Sequence, residues 1–316
     1  MISIDSNSAS ARGGLSRHTI LLANLGMLLT AMVWGLSFVS TKVLTEEGIG
    51  MSPVQIYLYR FTLAYLIILC VCHKQLFSYS WRDELLFLLL GMSGGSIYFI
   101  TENIAVTQTA VANVSLITTL SPLITIFLVG ALYRSERPGR WIVIGSLIAL
   151  LGVALVVFGG ASEASFHPAG DLLALGAAVS FAIYSILIKK INATYSAWFI
   201  TRKSFFYGIV TALPFLLMEP ESSRAPISVL ARPEVWGNLG FLGLVCSLAA
   251  YLLMASAIKV IGPVKASNYL YAQPIVTMLA GWIILHENVG WPGWLGCALI
   301  IGGLWLGETL NRRRCG

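Results

Sequence analysis

Charge is what this sequence has least of. Asp, Glu, Lys and Arg make up 11% of its 316 residues, where a soluble domain carries about 25%. So few charges cannot clothe a water-exposed surface. With 57% hydrophobic residues and a mean hydropathy of +0.81, the natural solvent of the chain is lipid. Histidine is scarce as well. His18, His73, His167 and His286 all fall in loops or at the ends of apolar runs, which leaves no His/Glu pair at metal-ligand spacing and no histidine base at membrane depth. Cys70, Cys72, Cys246, Cys297 and Cys315 read as reduced structural thiols, not as a disulfide framework or metal site. No nucleotide-binding loop is present, and no cofactor is implied. The net charge of +6 is spread along the chain, which argues against a nucleic-acid partner.

What is there in quantity is long apolar runs. A bilayer core of about 30 Å needs about 20 apolar residues per helix. Such runs cover 20–44, 54–72, 84–106, 110–133, 139–158, 169–189, 197–218, 235–259, 263–285 and 291–310. Breakers separate them, among them Ser52-Pro53, Arg137-Pro138-Gly139, Glu219-Pro220 and Gly262-Pro263. The loops alternate in charge. One side collects Arg12, Arg17, Lys74, Arg82, Arg134, Arg137, Arg140, Lys189, Lys190, Lys259, Lys265, Arg312, Arg313 and Arg314. The other has Lys42, Arg224 and Arg232. That bias predicts both termini in the cytoplasm and an even number of spans.

The chain also reads as two copies of one unit. "ANVSLITTLSPLITIFLVGALYRSE" (112–136) matches "VKASNYLYAQPIVTMLAGWIILHE" (264–287), with Pro122 on Pro274 and Glu136 on Glu287. Each is followed by a helix with glycines seven apart, Gly145 and Gly152, then Gly296 and Gly303. Upstream, "WGLSFVSTK" (34–42) loosely matches "FAIYSILIK" (181–189), and Arg60 falls near Arg202. Five spans per copy is odd, so the second copy enters the membrane the other way up. The expected fold is an all-α integral membrane protein, ten transmembrane helices in two inverted five-helix repeats, the architecture of a secondary transporter. The expected divisions are a disordered cytoplasmic segment (1–19), a first repeat (20–160), a linker loop (161–168), a second repeat (169–310) and a basic cytoplasmic tail (311–316).

A Trp-Gly in the first run, "P…RF" in the second and "A…T.A…..L..L.P" leading into the fourth, together with two five-span halves, resemble the EamA-type branch of the drug/metabolite transporter superfamily. The resemblance covers about residues 20 to 310 and rests on helix-packing residues, so it bears on fold more than on substrate. It implies export of amino acids, metabolites or toxic organic compounds across a bacterial cytoplasmic membrane, and no ATP-driven chemistry.

Several motifs bear on function. "GMSGG" (91–95) fits Gly-x-Ser-x-Gly, the pattern of a serine nucleophile, and makes an intramembrane hydrolase a remote alternative; without a histidine base, helix packing through Gly91, Gly94 and Gly95 is the simpler reading. Glu102 is the odd carboxylate of the third run. It lies about 6 Å inside one face and Arg60 about 10 Å inside the same face. Glu102 is expected to bind a substrate ammonium or a coupling proton, to pair with Arg60, or to snorkel to the interface. Further candidates for a polar, aromatic cavity are Trp34, Ser37, Phe38 and Thr41; Tyr98; Asn113; Tyr184; Tyr251; and Asn268, Tyr271 and Gln273. Pro122 and Pro274 predict bends at repeat-related positions. Arg202 and Lys203 are expected to snorkel to lipid head groups. The function expected is a secondary active or facilitative exporter of small organic metabolites, amino acids first among them, whose partners are that small-molecule substrate and membrane lipid. A passive channel is the alternative.

Overall fold

The computed structural model describes residues 16–45, 48–108, 111–133, 137–158, 168–284 and 290–315. Residues 1–15, residues 161–167 of the expected 161–168 linker (among them His167), His286, Glu136 and Glu287 lie outside the described residues, as do the side chains of Phe38 and Asn113. Among the described residues each apolar run is largely helical, and no strand occurs. Among the described residues five helices have the length and hydropathy to cross a membrane, at Arg17–Ser37, Pro53–Val71, Trp81–Glu102, Pro168–Ile191 and Pro233–Ile261; Leu116–Leu132, Arg140–Val156 and Trp291–Gly307 are shorter apolar helices.

In chain order the helices are α1 (Arg17–Thr45), α2 (Pro53–Val71), α3 (Trp81–Gly91), α4 (Ile97–Gln108), α5 (Val111–Thr118), α6 (Ser121–Leu132), α7 (Arg140–Phe158), α8 (Pro168–Ile191), α9 (Ala197–Met218), α10 (Pro233–Gly240), α11 (Ala250–Ile261), α12 (Pro263–Asn268), α13 (Gln273–Ile284) and α14 (Trp291–Cys315). Helix starts follow local chemistry. Ser52 caps α2 in a capping box with Gln55, Pro53 supplies the first helical residue, and Ser80 and Ser196 cap α3 and α9. Gly262, at φ 80°, ends α11 in a left-handed conformation that suits glycine, and Pro263 starts α12 directly after it.

The repeat shows in the helix defects. A π-helical segment, Met92–Ser96, joins α3 to α4, and another, Phe241–Ala249, joins α10 to α11. These occupy the third rod of each half. The fourth rods are both broken before their prolines. A turn at Thr119 and Leu120 separates α5 from α6, and a 3-10 turn, Tyr269–Ala272, separates α12 from α13. A proline cannot donate to the preceding turn and its ring crowds that turn's carbonyl. A break in the helix thus falls just before Pro122 and just before Pro274.

The halves interlock. α1 packs on α11 and α13 of the second half, and α8 packs on α4 and α6 of the first. The last helices, α7 and α14, cross at their glycines. A Cβ on Gly152 would lie 2.5 Å from the Gly296 carbonyl oxygen, and one on Gly303 2.6 Å from that of Gly145. Residue 145 meets 303 while 152 meets 296, so these repeat-related helices run antiparallel. That is the inverted arrangement, with backbones brought close by the absence of side chains.

Candidate functional site: a cavity between the inverted halves

A cavity of about 620 Å³ lies where the two halves meet. Its floor is aromatic. The Trp34 and Phe181 rings meet edge-on at 5.8 Å, and Tyr251 stands 5.5 Å from Trp34. Tyr98 packs on Phe181 at 5.3 Å and Phe99 on Tyr98 at 5.1 Å. Trp34 and Phe181 are the aligned positions of the two repeats, so the pseudo-twofold relation passes close to this contact. Ser37, Thr41 and Thr45 rise along α1, Thr118, Thr119 and Ser121 flank the break between α5 and α6, and Gln273 caps the break before α13. From the floor the cavity reaches the C-terminus of α1 at Thr45 and the N-terminus of α2 at Pro53.

The π segments hold this floor. An i→i+5 ladder loosens regular carbonyl bonding and leaves oxygens for side chains. Trp34 Nε1 donates to the Cys246 carbonyl at 2.7 Å, and Ser180 Oγ to the Ser93 carbonyl at 2.9 Å. In each case the first helix of one half bonds the π segment of the other. Tyr251 Oη, on α11 just after the second π segment, donates to the Gly94 carbonyl of the first at 2.8 Å. In the Gly-x-Ser-x-Gly stretch, the Ser93 hydroxyl donates to Leu90 O at 3.4 Å. A Cβ on Gly91 would lie 2.7 Å from the Gly208 nitrogen, and one on Gly94 would enter the Tyr184 ring. The glycines are packing surfaces.

Of the residues singled out in the sequence, Trp34, Ser37, Thr41, Arg60, Tyr98, Glu102, Tyr251 and Gln273 line this cavity. Three do not. Tyr184 is buried behind the floor, 5.7 Å from Tyr251 and against Gly94. Tyr271 is fully buried with Ala149, Val153 and Ile300. Asn268 lines a second cavity of about 250 Å³ between α7, α12 and α14, where Ser146 Oγ donates to its Oδ1 at 3.4 Å. That cavity also includes Tyr269, which bonds Asn24 near the start of α1 at 2.9 Å, so it lies toward the opposite end of the bundle. Tyr57, Phe99 and Phe181 complete the main cavity unannounced. Phe181 alone had a signal, its alignment with Trp34.

The charges correct two expectations. Arg60 and Glu102 share the cavity but form no ion pair: Arg60 Nε donates to Ser247 Oγ at 2.9 Å, and Glu102 Oε1 accepts from Tyr98 Oη at 3.0 Å. Depth along two helices does not fix rotation about them. Arg202 and Lys203 do not snorkel to lipid; they are 2% and 7% exposed. Arg202 donates to the carbonyls of Cys72, Gln75 and Leu76, pinning the loop after α2. Lys203 Nζ lies 2.7 Å from Glu84 Oε1, and Tyr207 Oη donates to the same carboxylate.

A bundle of apolar helices built from two inverted halves around one cavity defines a multi-pass membrane transporter. Comparison with known proteins says which kind. The EamA-like transporter family model matches residues 21–158 and again 168–307, so the chain belongs to that family, within the drug/metabolite transporter superfamily. It is 28% identical over 282 residues to an uncharacterized transporter of Archaeoglobus fulgidus, covering 89% of this chain and 96% of that one. It is 26% identical to the uncharacterized inner membrane transporter YicL of Salmonella typhimurium, covering 92% and 96%, and 26% identical to the uncharacterized transporter YdfC of Bacillus subtilis, covering 86% of each. A solved structure at 20% identity superposes with a TM-score of 0.73 over 92% of this chain and 98% of that one, and shares the fold. Family and relatives point to transporters, which are not enzymes.

Proposed function

We propose that this transporter is a secondary carrier that exports small organic metabolites, amino acids first among them, from a bacterial cytoplasm by alternating access. The observation that supports it most is the cavity itself. It lies between inverted halves rather than within one, so rocking one half against the other exposes it to either face. Its apolar floor suits a substrate's side chain. Its hydroxyls, one guanidinium and one carboxylate suit a polar, doubly charged head. No separate catalytic domain accompanies it among the described residues.

The orientation follows the distribution of Lys and Arg, with the loop at Arg140 and the C-terminus in the cytoplasm. Reporter fusions after Arg140 and after Gly316 should read cytoplasm, and one after Glu163 the outside. For the activity, purified protein in liposomes preloaded with an unlabelled amino acid should take up the labelled one with saturation and self-competition. Flux that rises linearly across a panel of amino acids and related metabolites would replace the carrier with a channel.

A further inference from the structure

Arg60 is only 6% exposed, yet just one of its nitrogens has a partner. Nε donates to Ser247 Oγ, and the terminal nitrogens make no hydrogen bond among the described residues. Among the described residues no carboxylate lies within 4.0 Å of the Arg60 guanidinium, whereas Lys203 and Arg232 each have one, from Glu84 and Glu234. The Phe61 and Phe99 rings, each with its centroid 5.4 Å from Cζ, offset part of the cost of burying this cation. They do not supply the oxygens its five-donor fork is built to meet. Ser247 is itself fully buried on the π segment and fixes the fork's rotation at the wall of the main cavity. Glu102, on the same cavity, is held by Tyr98 on its own helix and not by a cation. The cavity thus presents one unspent positive fork and one carboxylate to whatever enters.

We propose that Arg60 is the site for a substrate carboxylate, gripped by its two terminal nitrogens, with Glu102 receiving the ammonium group and Ser247 positioning the fork. This rests on the amino-acid reading above and narrows it. The cargo carries a free carboxylate, and organic cations without one are rejected. A guanidinium left in an apolar wall is costly unless an anion meets it, so the carboxylate supplies the charge the fold omits. Lysine at this position would keep the charge and lose the planar two-point grip.

The test is binding of the twenty amino acids to purified full-length protein, each as the free acid and as its methyl ester. The ester keeps the side chain and ammonium and removes the carboxylate charge. For any amino acid that binds, the acid should be preferred by about tenfold or more, the range of a hydrogen bond to a charged group. Arg60→Gln should bring acid and ester to near equality, and Arg60→Lys should fall between. Glu102→Gln should weaken both while leaving their ratio high. Should Arg60→Gln not fold, Arg60→Lys and Ser247→Ala carry the comparison, each lowering the ratio. An ester that binds wild type as tightly as its acid, or a ratio that survives every Arg60 variant, overturns this assignment and leaves the amino-acid carrier standing. Failure of every amino acid to bind wild type removes both.

Discussion

Tyr251 and Gly94 hold the two halves of the bundle together at the cavity floor. The Tyr251 hydroxyl, on the helix that follows one π segment, donates at 2.8 Å to a carbonyl inside the other. Its ring also faces Trp34, Phe61 and Tyr184 at 5.5 to 5.7 Å. Tyr251→Phe keeps the ring contacts and removes one hydrogen bond from a buried carbonyl. The expected cost is about 1–3 kcal/mol, read as a lower apparent unfolding temperature in detergent. Tyr251→Ala should cost more, because it also opens a void in the aromatic floor.

The glycine crossing of α7 and α14 makes a sharper prediction. At Gly303 a Cβ would sit 2.6 Å from the Gly145 carbonyl oxygen and 2.8 Å from the Ala149 nitrogen, both backbone atoms of the facing helix. Gly302, next to it, has nothing within 4 Å of its Cβ position. Gly303→Ala should therefore lower the yield of monodisperse protein on size-exclusion chromatography, and Gly302→Ala should not. Equal behaviour of the two variants would refute the close crossing.

Lys203 and Glu84 form a pair at 2.7 Å with side chains 8% and 25% exposed. Breaking a fully buried pair costs about 3–5 kcal/mol; partial exposure of Glu84 places this one below that range. Lys203→Met should destabilise more alone than when combined with Glu84→Gln, since the double variant leaves no stranded carboxylate. A double-mutant cycle on thermal stability measures the difference, and strict additivity would contradict direct pairing.

The parts of this molecule that depend on chain direction were legible in the sequence. Pro122 and Pro274 mark real breaks because a missing donor acts within one turn of its own helix. Gly145, Gly152, Gly296 and Gly303 mark a close crossing because only glycine permits it. What depends on rotation about a helix axis, or on a partner far along the chain, was not legible. Tyr184 and Tyr271 are as aromatic as Tyr251 yet face away from the main cavity, and nothing in a uniformly apolar helix distinguishes the faces. Arg202 and Lys203 looked like lipid anchors because their partners, the 72–76 loop and Glu84, lie over 100 residues away. The Arg60 and Glu102 depths were similar, but each side chain found a nearer hydroxyl.

The central claim is that one cavity is offered to the two membrane faces in turn. Thr41 lines the main cavity and Asn268 the second, toward the opposite end of the bundle. With Cys70, Cys72, Cys246, Cys297 and Cys315 replaced, single cysteines at Thr41 and at Asn268 report each side through the rate of maleimide labelling in proteoliposomes. Addition of an amino acid that undergoes exchange should change the two rates in opposite directions, one rising as the other falls. Two rates that stay high together, with or without that amino acid, would mean a pathway open at both ends, and would contradict alternating access.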